Sequence, residues 1–366
     1  MHCNSKHSDQ RVNVDWDMAE TSTSLVELPS DDLEHIQECP ACQTAQSVVL
    51  HDGLLDRAFG IVAGTWTLHQ CKNCGSAFLS PRLTRKAISL AYEGGYYTHS
   101  SEEAKELTLR NPLALLRRGI KNYYLNKTIG GNRKPSIPLS SLLLSTFFAA
   151  RKARLDHSVR HLDRRFGTRI LDIGCGNGDF LVQMMGCGWS TFGVEPDPAA
   201  ADFCRKRGLD VRSSLAEFPD NCVDSITMDH VLEHVHSPLS TLKECLRVLR
   251  PRGRIWIATP NIDSLGHERF GQDWRGLEPP RHLVIFSRKA ISLLLARAGF
   301  SYVDMDVAKE CLFIEWAYDA SNRIRAQRGQ SPFAESEVHR WAKEDSIAPG
   351  FRAEELVAIG TKPVEV

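Results

Sequence analysis

The chain reads as an α/β protein: an open, mostly parallel sheet with helices on both faces, preceded by a small cysteine-rich module. Three observations predict this. From residue 166 onward, short apolar runs alternate with amphipathic helical stretches, as in a sheet built from crossover units. The first of those runs breaks into "LDIGCGNGDF" (171–180), a glycine-rich turn between a strand and a helix. Ahead of it stand two Cys-x-x-Cys pairs, "CPAC" at 39–42 and "CKNC" at 71–74.

Taken in order, residues 1–35 are polar and lack periodicity, the pattern of a disordered tail. Residues 36–80 hold the cysteine pairs around short β-like runs such as "GTWTLHQC". Residues 81–165 read as a helical linker or cap, first "TRKAISLAYEGGYYTH", then a basic segment with Arg110, Arg117, Arg118, Lys121, Lys127, Arg133 and Lys134. Residues 166–366 form the large α/β domain. Its strands are expected at "RILDIG", "STFGVEP", "DVRSS", "SITMDH", "RIWIATP" and "SYVDMDV", with "ELVAIGTK" (355–362) as the last strand after a helical insertion. Helices are expected at "GDFLVQMMGCG", "PAAADFCRKRG", "PLSTLKECLRVLR" and "SRKAISLLLARAG", several of them ending on glycine.

The totals narrow the function. Lysine plus arginine equals aspartate plus glutamate, 45 against 45, so no whole-chain charge draws it to nucleic acid or anionic membrane. The start, "MHCNSKHSDQ", has no apolar signal core, and the longest apolar run, "LSSLLLSTFF" (139–148), is shorter than a membrane span and carries serines. That run reads as a helix packed on the core; as an interfacial segment it would suit a peripheral contact with a lipid-linked substrate. A cytoplasmic location follows as the expectation, and there paired cysteines bind metal rather than form disulfides.

Gly174, Gly176 and Gly178 do not make a dinucleotide fingerprint, because the third glycine comes one residue early and Asp179 takes its place. Asp172 precedes the turn. A pyrophosphate there would meet like charge. A cationic, phosphate-free ligand fits better, and S-adenosylmethionine is such a ligand. Asp172 could attract its ammonium, Gly174 and Gly176 would admit close backbone approach, and Glu195 in "GVEPDP", 21 residues past Gly174, could accept from ribose hydroxyls.

As a set, "LDIGCGNGDF", "GVEPDP", "SITMDHVLEHV" and "LRPRGRIWIATPN" resemble the successive motifs of class I S-adenosylmethionine-dependent methyltransferases, over about residues 168–310. The resemblance implies a Rossmann-like sheet whose last strand is antiparallel. It implies a cofactor pocket lined by Asp172, Gly174, Cys175, Gly176, Glu195, Pro196, Asp229 and His230, with Ser214 and Leu215 near the adenine. "RSSLAEF" lacks the acid often found beside the adenine amine.

Cys39, Cys42, Cys71 and Cys74 can close a tetrahedral thiolate site with no open position, so the zinc they would hold is structural. The stretch from "CPAC" through "CKNCGSAFLSPRLT" to "YEGGYYTH" resembles the zinc ribbon of bacterial methyltransferases of glycan and secondary-metabolite pathways. That resemblance implies a small-molecule, sugar or lipid-linked acceptor. It says nothing of oligomeric state.

Methyl transfer needs an aligned nucleophile and, for a hydroxyl, a proton acceptor. "DHVLEHVHSP" supplies His230, His234 and His236 after the fourth strand. His230 and His234 share a face if the turn is helical, while Glu233 is expected to point elsewhere, against a metal there. His230 is expected to line the cofactor and to be a candidate catalytic group. "RFGQDWRGLEPPRHLVIFS" (269–287) supplies His282 as general-base candidate, with Trp274, Arg275 and Arg281, and Asn261 nearby, as substrate contacts; the bland alternative for His282 is a residue tying this loop to the core. The function read from this is methyl transfer to a hydroxyl of a small molecule or glycan. Carbon or nitrogen acceptors are the alternative, as is a zinc-ribbon RNA methyltransferase, which the zero net charge disfavours. A non-catalytic protein that keeps the fold is a further class, opposed by the intact glycines and Glu195.

Overall fold

The structure is a computed structural model that describes residues 25–92, 112–138, 149–305, 313–346 and 350–364. Residues 93–99 of "YEGGYYTH", Arg110, the apolar run 139–148, Cys3 and Cys311 lie outside the described residues.

Two sheets carry the molecule. The large one contains β6 (Arg169–Ile173), β7 (Ser190–Val194), β8 (Asp210–Arg212), β9 (Val223–Asp229), β10 (Leu249–Pro260), β12 (Tyr302–Asp304) and β13 (Glu355–Thr361). Their order is β12-β13-β10-β9-β6-β7-β8. Strands β10, β9, β6, β7 and β8 run parallel, and β13 lies antiparallel between β10 and β12. This is the Rossmann-like sheet with a reversed last strand. The chain winds outward from β6 in both directions, so strand order reverses between β6 and β9. Their carboxyl ends therefore open the crevice where ligands bind in such sheets.

The crossover helices are α3 (Asp179–Met185), α4 (Pro198–Lys206), α5 (Pro238–Val248) and α7 (Arg288–Ala298). Local chemistry sets their ends. Asp197 caps α4 by accepting from Ala200 N, with Pro198 at the first turn, and Gly299 closes α7 in the left-handed region at φ +104°.

The second sheet joins the cysteine module to the rest of the chain. Its strands are β2 (Ser47–Leu54), β3 (Trp66–Cys71), β4 (Ala77–Leu79) and β11 (Val284–Ile285), in the order β11-β4-β3-β2. Strand β11 comes from "RHLVIFS", some 200 residues further along the chain. One continuous apolar cluster contains Cys39, Cys71, Cys74 and Phe78 together with Leu283, Phe286, Ile291 and the large-sheet residues Ile226 and Ile257. A second packs Trp66, Leu68 and Leu79 against Phe270, Trp274 and Tyr318, the last on α8 (Ile314–Gln327). Fully buried residues such as Leu68 and Phe78 each contribute on the order of 2 kcal/mol of apolar burial.

Residues 25–35 differ from the expected tail. Val26 bridges Val62, and β1 (Leu33–Glu34) pairs with β5 (Arg82–Leu83), where Arg82 Nε donates to Glu34 at 2.8 Å. A two-residue strand leaves no periodicity to read. In the stretch 81–165, the described helices are α1 (Pro112–Thr128) and α2 (Ala149–Ser158), after a short turn at Ile88–Tyr92. The described basic residues lie on or just after α1. Among the described residues, no helix is long and apolar enough to cross a membrane.

Candidate active site

The glycine turn lies at the carboxyl end of β6. Gly174, Gly176 and Gly178 all adopt positive φ, at +66°, +54° and +77°. At Gly174 the requirement is double, since a Cβ would also stand 2.6 Å from Val231 Cγ2. The turn therefore packs on the segment after β9. Glu195 supports it: Oε2 accepts from Gly176 N at 2.8 Å and Oε1 from Asp197 N at 3.0 Å. Cys175 faces inward, and burial followed by the nearby Asp172 charge pushes its thiol pKa up, so it is no nucleophile. Pro196 and Ser214 are exposed. Ser214 caps the short turn Leu215–Glu217, its Oγ accepting from Ala216 N while Glu217 Oε1 accepts from Ser214 N. Leu215 packs against the core from its edge.

Asp172 is buried and already partnered. Its Oδ1 accepts from Arg160 Nη1 and from Thr227 Oγ1 at 2.7 Å. Burial still holds its pKa above the ordinary carboxylate value, with Arg160 opposing. Arg160 follows α2 at φ +51°, lies 3.8 Å over the Phe180 ring, and reaches Asp229 at 3.2 Å. The sequence expectation left Asp172 free for a ligand ammonium. The structure instead puts a guanidinium beside it, delivered by a backbone reversal that no local motif announces.

His230 stands at φ +52° just past β9. Its Nε2 is 2.6 Å from Glu355 Oε1, and its Nδ1 is 3.2 Å from Glu233 Oε1. Its side chain keeps 42% of its surface open, yet protein crowds it on the cleft floor. That crowding opposes the charge, but hydrogen bonds with Glu233 and then Glu355 outweigh it and raise the His230 pKa well above the usual value. The following residues Leu232–His234 form a 3-10 turn, not an α-helix. With three residues per turn, His230 faces Glu233 rather than His234. Glu233 thus points into the site, contrary to expectation. Burial works against its charge, but the His230 ring beside it outweighs burial and brings the Glu233 pKa down to about 2. His236 is buried and held to Leu83 O at 2.9 Å.

The residues expected on an open acceptor loop are inside the protein. Arg281 has no exposed surface. It pairs with Asp56 through both terminal nitrogens, donates to Ala91 O at 3.0 Å, and meets Glu278 at 3.1 Å. Trp274 Nε1 donates to Glu354 Oε2 at 2.7 Å. Asn261 is saturated by the carbonyls of Phe351 and Ala353 and by Asp263 N. Arg275 is tied to Glu278 and stacks near Phe59 at 5.3 Å. His282 is 4% exposed, its Nδ1 donates to Gly276 O at 2.8 Å, and burial lowers its pKa to about 4. Of these five, Trp274, Arg281 and His282 are buried on a loop clamped under the cysteine module through β11 and Asp56, Asn261 is buried just after β10, and Arg275 is half-buried. Glu354, Glu355, Glu278 and Asp56, which do the clamping or flank His230, carried no motif.

Cys39, Cys42, Cys71 and Cys74 converge with all four sulfurs within 4.8 Å of one another. Cys39–Cys74 and Cys42–Cys71 are 3.6 and 3.4 Å apart, against about 3.8 Å for the edge of a tetrahedron with Zn–S near 2.3 Å. The hydrogen bond to Cys74 and then burial push the Cys39 thiol up, so without a cation the cluster resists full ionisation. A structural zinc ion fits this donor set.

Fold and site together define an α/β protein with a ligand crevice beside a glycine turn and a separate four-thiolate centre. Residues 139–305 match the family model described as a methyltransferase domain. The "Ubiquinone biosynthesis O-methyltransferase" of Alkalilimnicola ehrlichii is 28% identical over 173 residues, 41% of this chain and 70% of that one. The protein of the same name from Xanthomonas oryzae pv. oryzae is 31% identical over 123 residues, 31% of this chain and 51% of that one. For it and for the Vibrio cholerae relative, the chain spans only about half of the relative's length. Among solved structures, a SAM-dependent methyltransferase from Archaeoglobus fulgidus aligns with a TM-score of 0.40 at 21% identity, covering 60% of this chain and 98% of that one. The stretch 139–305 is thus similar to methyltransferase domains, and the chain's relatives over this stretch are methyltransferases.

Proposed function

We propose that the enzyme methylates a hydroxyl of a small molecule, glycan intermediates included, with the His230–Glu355 pair taking up the hydroxyl proton. The observation that carries this reading is the pair itself, 2.6 Å apart at the carboxyl end of β9, beside the segment on which the glycine turn packs. The two relatives from Alkalilimnicola ehrlichii and Xanthomonas oryzae are named as O-methyltransferases, which supports oxygen over carbon or nitrogen as the acceptor atom.

Bound S-adenosylmethionine supplies an electrophilic methyl on a positively charged sulfur. The left-handed glycines would admit it against bare backbone, and Glu195 holds that backbone in shape through Gly176 N. Arg160, fixed by Asp172 and Asp229, suits the carboxylate end of an amino acid better than Asp172 alone suits its ammonium. Cys175, Pro196, Ser214 and Leu215 belong to the edges of this pocket. At the acceptor side, His230 takes the proton released as the new C–O bond forms only when its ring starts neutral, with Nε2 facing Glu355, so its raised pKa makes turnover climb with pH. Alignment of acceptor and donor supplies most of the rate, and the proton acceptor about a hundredfold or more.

The test uses purified full-length protein. His230→Asn and Glu355→Gln should each lower kcat about a hundredfold on a phenolic or sugar hydroxyl acceptor. S-adenosylmethionine affinity by calorimetry should stay within about threefold of the parent, a span under 1 kcal/mol. Full turnover in both variants would remove the pair from the mechanism. Absence of S-adenosylmethionine binding in the parent would remove the pocket.

A further inference from the structure

Beneath His230, Glu233, His234 and His282 bring a carboxylate oxygen and two ring nitrogens within 4.8 Å of one another. Neither histidine is arranged like a core residue with both nitrogens satisfied. His234 Nδ1 lies 3.0 Å from Arg281 O, and His282 Nδ1 lies 2.8 Å from Gly276 O. A carbonyl only accepts, so each Nδ1 carries the proton and each Nε2 keeps its lone pair. Among the described residues no side chain lies within hydrogen-bond distance of either Nε2; Glu278 Oε2, at 3.7 Å from His282, is too far for one. Glu233 has no exposed surface; its Oε2 accepts from Thr259 Oγ1 at 2.9 Å. Its Oε1 has no well-formed hydrogen bond, although His230 Nδ1 stands 3.2 Å away at poor geometry.

Metal-ligating histidines have this same arrangement: the far nitrogen donates to a carbonyl, which fixes the tautomer and aims the lone pair inward. Two imidazoles and one carboxylate are the three protein ligands of many zinc sites, with a fourth position left for an oxygen ligand. We propose that Glu233, His234 and His282 form a second metal site that takes a divalent first-row transition ion, zinc foremost, separate from the four-cysteine centre. The ion would join three parts of the fold: the turn after β9, the buried loop before β11, and, through Tyr92 Oη at 3.0 Å from His234, the module that precedes the large sheet. Glu233 also flanks His230, so the test reads metal stoichiometry and ligand type rather than turnover.

The experiment is cobalt(II) and zinc(II) titration of metal-stripped full-length protein. The parent should bind two equivalents: one with the thiolate charge-transfer bands of a four-sulfur site, and one with weak visible bands and no thiolate character. Glu233→Gln and His282→Phe should each keep the thiolate signature, which reports that the protein is folded, and lose the second equivalent. X-ray absorption of the two-zinc parent should show nitrogen and oxygen ligands beside sulfur, which tests the site even if a variant does not fold. A single equivalent in the parent, all-sulfur coordination, or a second equivalent that survives both substitutions would overturn the proposal.

Discussion

The glycine-turn half of the large sheet and the junction between that sheet and the cysteine module were built by different rules. In the first, every functional backbone feature lies within one strand–turn–helix unit, and neighbours in sequence are neighbours in space. In the second, Asp56, Ala91 and Arg281 meet across about 225 residues, and a strand from one end of the chain completes a sheet begun at the other. The first can be read locally. The second exists only once the chain has folded, and it makes the module part of the enzyme's core rather than an appendage.

The strongest way to break that contrast is to remove the zinc. Structural zinc in small modules is worth on the order of 10 kcal/mol of folding free energy. If the module were an appendage, a chelator or Cys39→Ser would melt it alone and leave S-adenosylmethionine binding intact. The shared cluster that includes Cys71, Phe78, Leu283 and Ile226 predicts instead that both lose structure together. Calorimetric melting with and without chelator, followed by donor titration, reads the difference; an unchanged donor isotherm after chelation would make the module separable.

Next in size is the buried pair of Arg281 and Asp56. Taking away one partner strands an uncompensated charge in the interior, so Arg281→Met should destabilise by about 3–5 kcal/mol. Arg281→Met with Asp56→Asn should recover much of that. Denaturant unfolding of the singles and the double closes the cycle, and a single variant within 1 kcal/mol of the parent, on the scale of an exposed pair, would deny the junction its role.

The same division explains what was legible in the sequence. The seven large-sheet strands, the four crossover helices and the cysteine quartet were readable because periodicity, glycine punctuation and spacing are local signals. Asp172, Gly174, Gly176 and Glu195 were placed at the crevice by the same means. What failed was the loop 269–287. Aromatic, arginine and histidine residues there have the composition of a binding surface, yet Trp274, Arg281 and His282 are buried because Glu354, Asp56 and the carbonyl of Gly276 complete them. Glu354 and Asp56 lie far off in sequence and carry no motif, and the Gly276 carbonyl, within the loop itself, is backbone that no side-chain pattern announces. Arg160 was missed because its reach depends on two successive left-handed residues, Arg160 and His161. Glu233 could have been found, since a three-residue turn after β9 puts it opposite His230.

Glu354 gives the junction a pH signature. Burial, partly offset by its bond from Trp274, raises its pKa from 4.5 to about 7, and the charge of Asp345 at the end of α9 (Glu335–Asp345) adds to the rise. The folded state therefore holds a proton that the unfolded chain releases near pH 4.5. The resulting stability is complete below about pH 4.5 and lost as pH rises through about 7, a change of about 3 kcal/mol. Glu354→Gln should remove that slope whatever constant offset it adds, as read from denaturant midpoints between pH 5 and 8. An identical slope in the variant would assign the titration to another group.

In the glycine-turn half, Gly174→Ala should cost about 1–2 kcal/mol for the left-handed backbone, with a further penalty where the new methyl meets Val231. The melting temperature reports the first effect and donor titration the second. On the proposed placement of the donor against this turn, donor affinity should fall more than stability does. A variant that binds the donor like the parent would show that close backbone approach is not what the turn provides.

The smallest effect separates two readings of one residue. Ser214 was placed near the adenine, but its hydroxyl is engaged by Ala216 N as the cap of Leu215–Glu217, with Glu217 completing the box. Loss of such a cap costs about 1 kcal/mol locally, and Ser214→Ala should therefore loosen this turn, seen as faster amide exchange at Ala216 and Glu217. Because the box orders the backbone that leads to Leu215, donor affinity should weaken by only about twofold, well under 1 kcal/mol. A tenfold loss with unchanged amide exchange would instead mean that the hydroxyl itself touches the adenosine, and the local rules that govern the glycine turn would then extend to the third strand of the crevice.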